Sequence, residues 1–202
     1  MADHDADLPA QPRTTHLVAA VLAAGSGSRM GTPKATITVG GVRLLDRAIS
    51  AASEAGCDRI IAVVRSGTTA PNAELVVNPA PEQGLRSSLA LALEQADAPG
   101  HPPADAVGVL LVDTPGIGGP AVRAALAAWK PGRVTVARYG QRRGHPIVMA
   151  PALWRAAIAL AGPDEGARRF LAAHPELLDE VRAPGDPADL DTPDDLRRWT
   201  SP

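Results

Sequence analysis

The sequence predicts a single α/β domain built around a mostly parallel, twisted β-sheet. Continuous apolar runs at 17–22, 60–64 and 107–112 lack polar alternation, which is typical of strands buried on both faces. Between these runs, 43–55 and 84–96 carry apolar residues at helical spacing. Strands that alternate with helices in this way favour a parallel sheet covered by helices.

The other elements follow in chain order without a linker that would split the domain. Residues 1–15 are polar and aperiodic, so we expect a disordered leader before a single domain at 16–202. A small hairpin is expected at 36–43, turning at Gly40 and Gly41. The further predicted strands are 74–77, 133–139, 145–149 and 177–181, and the further predicted helices are 119–129, 151–161, 164–173 and 193–200.

The predicted topology indicates where a ligand binds. In open parallel sheets, ligands lie at the carboxyl ends of the strands. This rule puts four loops on one rim of the sheet: 23–34, 78–88, 113–118 and 139–146. The polar residues of these loops are therefore expected to meet in one site.

Composition excludes several classes of function. A formal net charge of −2 and only five aromatic residues argue against nucleic acid as a partner. No apolar stretch reaches the roughly 20 residues of a membrane span, and the N-terminus lacks the apolar core of a signal peptide. Cys57 is the only cysteine, which excludes an internal disulfide and suits the cytoplasm.

The loop after the first strand has the composition of a nucleoside triphosphate site. Its small residues allow close approach of the backbone to an anion, and Arg29 and Lys34 add positive charge. It is not a dinucleotide G-x-G-x-x-G loop, because Met30 replaces the third glycine, nor a Walker A loop, because Thr32 and Pro33 precede the lysine. A purely structural turn is the alternative. The predicted nucleotide-binding residues here are Leu22, Ala23, Ala24, Gly25, Ser26, Gly27, Ser28, Arg29 and Lys34.

Three aspartates predict a divalent metal site. Asp113 ends a buried strand, where an unpaired carboxylate would be costly. Mg²⁺ bound to a triphosphate is a natural partner, because it takes one or two carboxylates together with phosphate oxygens. Asp189 and Asp191 are two positions apart and can complete such a site. The alternative is helix capping, by Asp113 for the helix at 119–129 and by Asp191 for the helix opened by Pro193.

Two further loops predict substrate contacts. Asn78, Gly84, Ser87 and Ser88 flank a helix start, where N–H groups and hydroxyls can contact a base, ribose or phosphate. Ordinary N-capping is the alternative there. The basic segment 142–146 suits an anionic second substrate, and a solvated basic turn is its alternative. The predicted acceptor-binding residues are Arg143, Gly144, His145 and Pro146.

Together these motifs resemble those of the MobA-like nucleotidyltransferases, especially the molybdenum cofactor cytidylyltransferases. The resemblance begins near Val18 and reaches the final helix, which is nearly the whole chain. Residues 22–34 resemble the signature loop of that family. The other matching motifs are Asn78-Pro79 with 82–89, Gly144-His145-Pro146, 164–168 and 189–196.

The resemblance implies a Rossmann-like three-layer α/β/α nucleotidyltransferase fold. The nucleotide would lie on the glycine loop, with Arg29 and Lys34 on its phosphates. Asp113 would bind Mg²⁺ together with Asp189 or Asp191. Arg29, Lys34 and Asp113 are therefore the predicted catalytic residues. The acceptor would be a phosphorylated small molecule of the molybdopterin type, and a molybdoenzyme or its chaperone is an expected partner.

The nucleotide and the exact activity stay open at this point. After the metal aspartate the cytidylyl enzymes usually carry Gln and Pro, whereas this chain has Thr114 and Pro115, which are closer to the guanylyl enzymes. CTP and GTP are therefore both retained. The family also has a relative that is an oxidoreductase of a pyridine pigment, so an NAD(P)H-dependent oxidoreductase of heteroaromatic substrates is one alternative. A non-catalytic module that binds a nucleotide or a pterin is another.

Overall fold

The computed structural model describes residues 15–200, so the predicted leader lies outside them except for Thr15. The strands in this range are β1 (Leu17–Leu22), β2 (Thr38–Val39), β3 (Val42–Arg43), β4 (Arg59–Val64), β5 (Glu74–Val77), β6 (Ala106–Leu111), β7 (Val134–Tyr139), β8 (Arg142–Met149) and β9 (Leu178–Arg182). The helices are α1 (Leu44–Ala55), α2 (Leu85–Ala96), α3 (Gly119–Ala128), α4 (Pro151–Leu160), α5 (Arg168–Ala173) and α6 (Pro193–Thr200). None of these helices is long and apolar enough to cross a bilayer.

Seven of the strands form one mostly parallel sheet. Their order is β5-β4-β1-β6-β8-β7-β9, and β2 and β3 pair separately as the predicted hairpin. Strand β1 runs parallel to both β4 and β6, whereas β8 runs antiparallel to β6 and β7. Because Leu22 at the end of β1 lies beside Leu111 at the end of β6, the loops that follow these two strands start side by side. The predicted α/β class is confirmed.

Two apolar cores cover the two faces of the sheet and give the fold three layers. Along β1, Ala19 and Val21 belong to one core, and Val18, Ala20 and Leu22 belong to the other. Helices α1 and α3 cover the first face, and α2, α4 and α5 cover the second. Burial of each large apolar side chain contributes roughly 1.5–3 kcal/mol. The strand ends that carry the site are therefore fixed by packing on both sides.

Strand β8 is longer than the sequence indicated. We expected it at 145–149, whereas it begins at Arg142 and pairs with β7 from there. Gly144, His145 and Pro146 therefore lie inside a strand and not in a turn. The first residues of β8 are polar and show no apolar alternation. Their strand conformation depends on hydrogen bonding to β7, so it could not be predicted from the neighbouring sequence.

The predicted helix at 164–173 also starts later, at Arg168. Gly166 has a φ of +52°, in the left-handed region that ends or precedes a helix. The carboxylate of Glu165 accepts a hydrogen bond of 2.8 Å from the N–H of Gly162 and closes the turn before the helix. The acidic motif at 164–168 is therefore a turn followed by a helix start, and its Asp164 lines a cavity at the edge of the sheet.

Candidate active site

The predicted loops meet at the carboxyl edge of the sheet around a cavity of about 500 Å³. It is bounded by the loop after β1, the loop before α2 and the end of β6. Most of the residues predicted to hold a nucleotide or metal line it: Leu22, Ala24, Gly25, Ser26, Gly27, Ser28, Arg29, Lys34, Gly84, Ser88, Asp113 and Asp191. Ala23, Asn78, Ser87 and Asp189 do not line this cavity.

The glycine loop is held in a shape that only glycine tolerates at one position. Gly27 has a φ of +60°, and a Cβ atom there would lie 2.0 Å from the carbonyl oxygen of Thr32. The N–H of Met30 donates to the carbonyl of Gly27 over 2.8 Å, which closes the turn. The stem of the loop is fixed as well, because Ala23 donates to the carbonyl of Val63 over 2.8 Å and is fully buried.

The backbone of this loop offers unpaired donors to the cavity. Within residues 15–200, the N–H groups of residues 25–28 have no hydrogen-bond partner. Gly25, Ser26 and Ser28 are exposed at the cavity wall. Successive free N–H groups in a glycine-rich turn form a cradle for an anion. The loop is therefore suited to phosphate oxygens.

Lys34 connects the glycine loop to the acidic side of the cavity. Its Nζ atom lies 2.6 Å from Oδ2 of Asp113 and also contacts Oδ1 of Asp191. Burial lowers the pKa of Lys34, but Asp113 and Asp191 raise it, with a net shift above its ordinary value. The ammonium is therefore charged at neutral pH. Arg29 is 76% exposed and reaches within 3.9 Å of Oδ2 of Asp191.

Asp113 lies two residues after the end of β6, and one of its carboxylate oxygens is still free. Its Oδ1 atom is buried and has no hydrogen-bond partner in the described part of the chain. It does not cap α3, because that helix begins at Gly119, has Gly118 as its N-cap and receives no side-chain cap hydrogen bond. A buried carboxylate oxygen without a partner is costly unless a cation or donor reaches it. This atom is a candidate ligand for a cation or a hydrogen-bond donor.

The last helix is capped by Thr192 and Asp195, not by Asp191. The N–H of Asp195 donates to the Thr192 hydroxyl over 3.2 Å. In return, Oδ2 of Asp195 accepts from the Thr192 N–H over 2.8 Å and from the Asp191 N–H over 3.1 Å. This reciprocal pair is a capping box. It leaves the Asp191 carboxylate free to face Lys34, so the alternative in which Asp191 acts as the cap is wrong.

Asp189 and Asp191 face different cavities. The N–H of Leu190, which is fully buried, donates to the carbonyl of Asp113 over 2.7 Å and anchors the segment between them. Asp191 lines the first cavity and Asp189 lines the second. Burial raises the pKa of Asp189, and the negative charges of Asp113 and Asp191 raise it further. No group of three His, Cys, Asp or Glu side chains between residues 15 and 200 is arranged to hold a metal ion.

The loop before α2 is tied together behind the cavity wall. Asn78 is 3% exposed, and its Nδ2 atom donates to the hydroxyls of Ser87 and Ser88 over 2.9 and 3.0 Å. Its Oδ1 atom accepts from the N–H of Ala80 over 2.9 Å. Asn78 and Ser87 therefore fix the loop from behind, while Gly84 and Ser88 are the members of the predicted set that reach the cavity.

A second cavity of about 550 Å³ adjoins the first. The two share Leu22, Leu85, Leu111 and Asp164 in their walls. The predicted acceptor residues Arg143, Gly144 and His145 line it, and Pro146 does not. Its inner wall is apolar and includes Leu89, Val109, Val136, Ile147 and Leu171. The mouth carries charged side chains, so the cavity suits a ligand with an apolar body and a charged end.

The arginines at this mouth differ in whether they already have a carboxylate partner. Nε of Arg143 lies 2.7 Å from Oε1 of Glu180, so this guanidinium already has a carboxylate partner. Arg142 and Arg168 line the same cavity, and within residues 15–200 neither side chain makes a hydrogen bond or an ion pair. Arg142 belongs to the basic segment predicted to face an anionic substrate, whereas Arg168 had no assigned role in the sequence. The signal for Arg168 was the acidic motif that it closes.

His145 is held in one tautomer at the inner end of this cavity. Its Nδ1 atom lies 3.0 Å from the carbonyl oxygen of Val109. Because a carbonyl only accepts, Nδ1 carries the hydrogen. Burial lowers the pKa of His145, although the bond to Val109 and the charge of Asp113 act in the opposite sense. The Tyr139 hydroxyl donates to the His145 carbonyl over 2.6 Å and fixes the strand beside it.

The chain is similar to known proteins over most of its length. The sequence profile of the MobA-like NTP transferase domain matches residues 19–178. Nicotine blue oxidoreductase of Paenarthrobacter nicotinovorans is 30% identical over 211 residues, covering 96% of this chain and 98% of that protein. Two structures of Rv0371c from Mycobacterium tuberculosis share the fold. One is 26% identical with a TM-score of 0.77, covering 91% of this chain and 97% of that one. The other, a complex with manganese, is 24% identical with a TM-score of 0.75, covering 92% and 98%.

Proposed function

Since the chain belongs to the MobA-like NTP transferase family, we propose that it transfers a nucleoside monophosphate from CTP or GTP to the phosphate of a small acceptor. The leading acceptor is a molybdopterin-type phosphate, and a molybdoenzyme or its chaperone would receive the product. The observation that carries this proposal is the meeting of free loop N–H groups, Lys34 and Asp113 in one cavity. That combination matches a triphosphate and its counter-ion.

The triphosphate would lie along the glycine loop. The unpaired N–H groups of residues 25–28 can donate to phosphate oxygens. Arg29 is exposed beside them, so it can turn toward the phosphates without breaking a buried contact. Lys34 extends from the end of the same loop as a compact ammonium. Positioning and charge neutralisation of this kind supply most of the rate in phosphoryl chemistry.

The reaction would be an in-line displacement at the α-phosphorus. An oxygen of the acceptor phosphate forms the new P–O bond, and the bond from the α-phosphorus to the bridging oxygen breaks. Its electron pair leaves with pyrophosphate. The nucleophile is already an anion, so no general base is needed. This agrees with the first cavity, whose walls contain no histidine among residues 15–200.

Asp113 and Asp191 would hold the divalent ion, with Asp189 as the alternative to Asp191. These residues fit an Mg²⁺ ion, which takes one or two carboxylates and keeps its remaining positions for phosphate oxygens and water. The buried, unpartnered Oδ1 atom of Asp113 is consistent with this role. When bound, Mg²⁺ would neutralise charge on the triphosphate. The manganese complex of Rv0371c is consistent with a divalent ion on this fold.

The acceptor would occupy the second cavity, which shares a wall with the first. Its apolar inner wall can pack against the faces of a flat ring, whereas the hydroxyls of a sugar would lack partners there. An acceptor phosphate at the mouth would meet Arg142 and Arg168 in addition to the predicted residue Arg143. The shared wall would bring that phosphate toward the nucleotide.

The experiment that tests this proposal is a substrate panel. CTP, GTP, ATP and UTP are each supplied with Mg²⁺, with and without molybdopterin-type cofactor, and pyrophosphate release is measured. We expect release that depends on one nucleotide and on the acceptor. Equal release without the acceptor, or none with any nucleotide, would contradict the proposal.

The assignment of the acceptor cavity gives a separate prediction. Arg142→Ala and Arg168→Ala should each raise the KM for the acceptor by about tenfold, because each removes a charge-assisted hydrogen bond to phosphate. The KM for the nucleotide should stay unchanged. Arg155→Ala removes one exposed guanidinium outside both cavities and is the matched control. An unchanged acceptor KM in both cavity variants would remove these arginines from the site.

A second candidate function is favoured by one comparison. The relative from Paenarthrobacter nicotinovorans is called an oxidoreductase and spans nearly the whole chain. On that basis the second cavity would take a heteroaromatic substrate, and the first would take NAD(P)H. The absence of a third glycine, where Met30 stands, counts against a common dinucleotide loop. Loss of the nicotinamide absorbance band in the presence of a heteroaromatic dye would favour this candidate over nucleotidyl transfer.

A further inference from the structure

Lys34 lies where a divalent ion would have to bind. Its ammonium bonds Oδ2 of Asp113 over 2.6 Å and contacts Oδ1 of Asp191, so it bridges the two carboxylates. The three side chains come from distant parts of the chain, with 79 positions between the lysine and the first aspartate and 157 between it and the second. Lys34 is also well shielded, with 15% of its side chain exposed.

The more buried of the two carboxylates, that of Asp113, is stabilised by a nearby cation. The Asp113 side chain is only 20% exposed, and a buried carboxylate without a counter-charge is unfavourable. Arg29 is too exposed and too far from Asp113 to take this role, since its closest contact is 3.9 Å from Asp191. Lys34 therefore supplies the nearest counter-charge for both carboxylates.

The same carboxylates cannot bind the ammonium and a metal ion in the same place. The ammonium holds Asp113 through Oδ2, and the free Oδ1 atom belongs to the same carboxylate. A metal ion bound at Oδ1 would therefore lie within a few ångströms of the ammonium, and like charges at that distance repel strongly where water is scarce. The protein also offers few other ligands, because within residues 15–200 no three acids, histidines or cysteines converge on one point. A triphosphate changes both conditions: it attracts the ammonium and adds oxygen ligands.

We infer that Lys34 is a built-in counter-ion that keeps divalent metal off Asp113 and Asp191 until a triphosphate draws its ammonium away. Metal and nucleotide then enter the site together. This inference rests on the proposed function for the identity of the nucleotide. In this interpretation Lys34 neutralises the two aspartates before the nucleotide binds, and it contacts phosphate afterwards.

The test measures Mn²⁺ binding to the whole protein without nucleotide, by the loss of the electron paramagnetic resonance signal of free Mn²⁺. Lys34→Met keeps the length of the side chain and removes its charge. We expect it to bind Mn²⁺ at least about tenfold more tightly than wild type, since a competing cation is gone. Lys130→Met is the matched control, because Lys130 is the other lysine of the chain and is exposed.

A double variant tests whether the additional Mn²⁺ affinity comes from Asp113. Lys34→Met combined with Asp113→Asn should lose the gain, because the freed carboxylate is the proposed ligand. Equal Mn²⁺ affinity in Lys34→Met and Lys130→Met would overturn the inference. So would a gain that survives Asp113→Asn. In thermal denaturation, Mn²⁺ should raise the Tm of Lys34→Met and leave that of wild type unchanged.

Wild-type protein supplies a test that does not depend on the variant folding. Mn²⁺ binding is compared with and without a saturating non-hydrolysable CTP or GTP analogue, after subtraction of binding to the free analogue. We expect at least about tenfold tighter binding in the presence of the analogue, because phosphate competes for the ammonium. Equal affinity in both conditions overturns the inference. Pyrophosphate release measured on the same preparation reports separately on the proposed function.

Discussion

One ammonium group organises the polar side of the cavity at the scale of residues. Lys34 bonds Asp113 and contacts Asp191, while the free Oδ1 atom of Asp113 and the free N–H groups of residues 25–28 remain available. Donors and acceptors thus line the same cavity. Such a distribution serves a ligand that carries both negative phosphates and a positive ion.

Removal of either member of the central ion pair should abolish most turnover. We expect Lys34→Ala and Asp113→Ala to lower kcat by roughly 10²–10³, because each removes charge stabilisation at the transferring phosphoryl group. Pyrophosphate release gives kcat, and circular dichroism checks the fold. Lys130→Ala should keep normal turnover. Near-wild-type kcat in either site variant would show that the chemistry lies elsewhere.

The shape of the glycine loop gives a second prediction at this scale. Gly27→Ala should destabilise the fold by about 1–2 kcal/mol, because alanine disfavours a positive φ and its Cβ would collide with the Thr32 carbonyl at 2.0 Å. Gly25→Ala is the comparison, since a Cβ there meets nothing within 4 Å. Urea denaturation measures both variants. Equal stability of the two would mean that the loop tolerates a side chain at Gly27.

At the scale of elements, the cap of α6 decides which acids reach the site. Thr192 and Asp195 satisfy the first N–H groups of the helix through reciprocal hydrogen bonds. The Thr192 hydroxyl, together with Arg198 and the N–H groups at the helix start, holds the pKa of Asp195 at about 2. Because Asp195 also accepts from the N–H of Asp191, the cap fixes the backbone that carries the Asp191 carboxylate.

Loss of this cap should therefore affect catalysis as well as the helix. Thr192→Ala is expected to cost about 1 kcal/mol of local stability. It should also raise the Mg²⁺ concentration needed for half-maximal activity, because Asp191 loses its support. Thr192→Ser keeps the hydroxyl and should behave like wild type. Amide hydrogen exchange in α6 and Mg²⁺ titration of pyrophosphate release are the readouts. If Thr192→Ala needed the same Mg²⁺ concentration as wild type, the helix cap would have no effect on metal binding at Asp191.

At the scale of the whole molecule, one ion pair fastens the edge of the sheet to a helix. Arg59 on β4 makes two hydrogen bonds of 2.7 Å to Glu74 on the edge strand β5. The same guanidinium donates to the carbonyls of Ala96 and Gln95 at the end of α2. The Arg59 hydrogen bond, against the opposing effect of burial, lowers the pKa of Glu74 to about 2.

This pair gives a pH dependence of folding with a definite sign. The folded pKa of Glu74 lies below its ordinary value of 4.5, so its contribution is present above about pH 4.5 and is lost as the pH falls toward 2. A charged hydrogen bond of this kind contributes on the order of 1–3 kcal/mol. Unfolding free energies between pH 7 and 2 should therefore fall less steeply in Glu74→Gln than in wild type.

A control variant makes this comparison specific. Glu94→Gln removes an exposed carboxyl on α2 and should keep the slope of wild type. If Glu74→Gln also kept the wild-type slope, the ion pair would not be a source of acid sensitivity. The edge strand would then be held by its backbone hydrogen bonds to β4 alone.

Local pattern in the sequence determined the elements and the kind of site. Buried apolar runs fixed β1, β4 and β6, because a strand covered on both faces excludes polar residues. Small residues with two cations after β1 predicted an anion loop, and Asp113 was predicted as a metal ligand from its place at the end of a buried strand. The structure brings both to one cavity, as expected from the rule that parallel strands end on one edge.

Only the tertiary structure decided how the charges pair. The sequence is equally compatible with a cap of α6 by Asp191 and with a cap by Thr192. In the structure Thr192 is the cap, so the Asp191 carboxylate is free to contact Lys34, 157 positions away. Glu180 on β9 engages Arg143, so Arg142 and Arg168 are the arginines left at the second cavity. Electrostatic partners are set by distance through space and by burial, and neither quantity is encoded in local spacing.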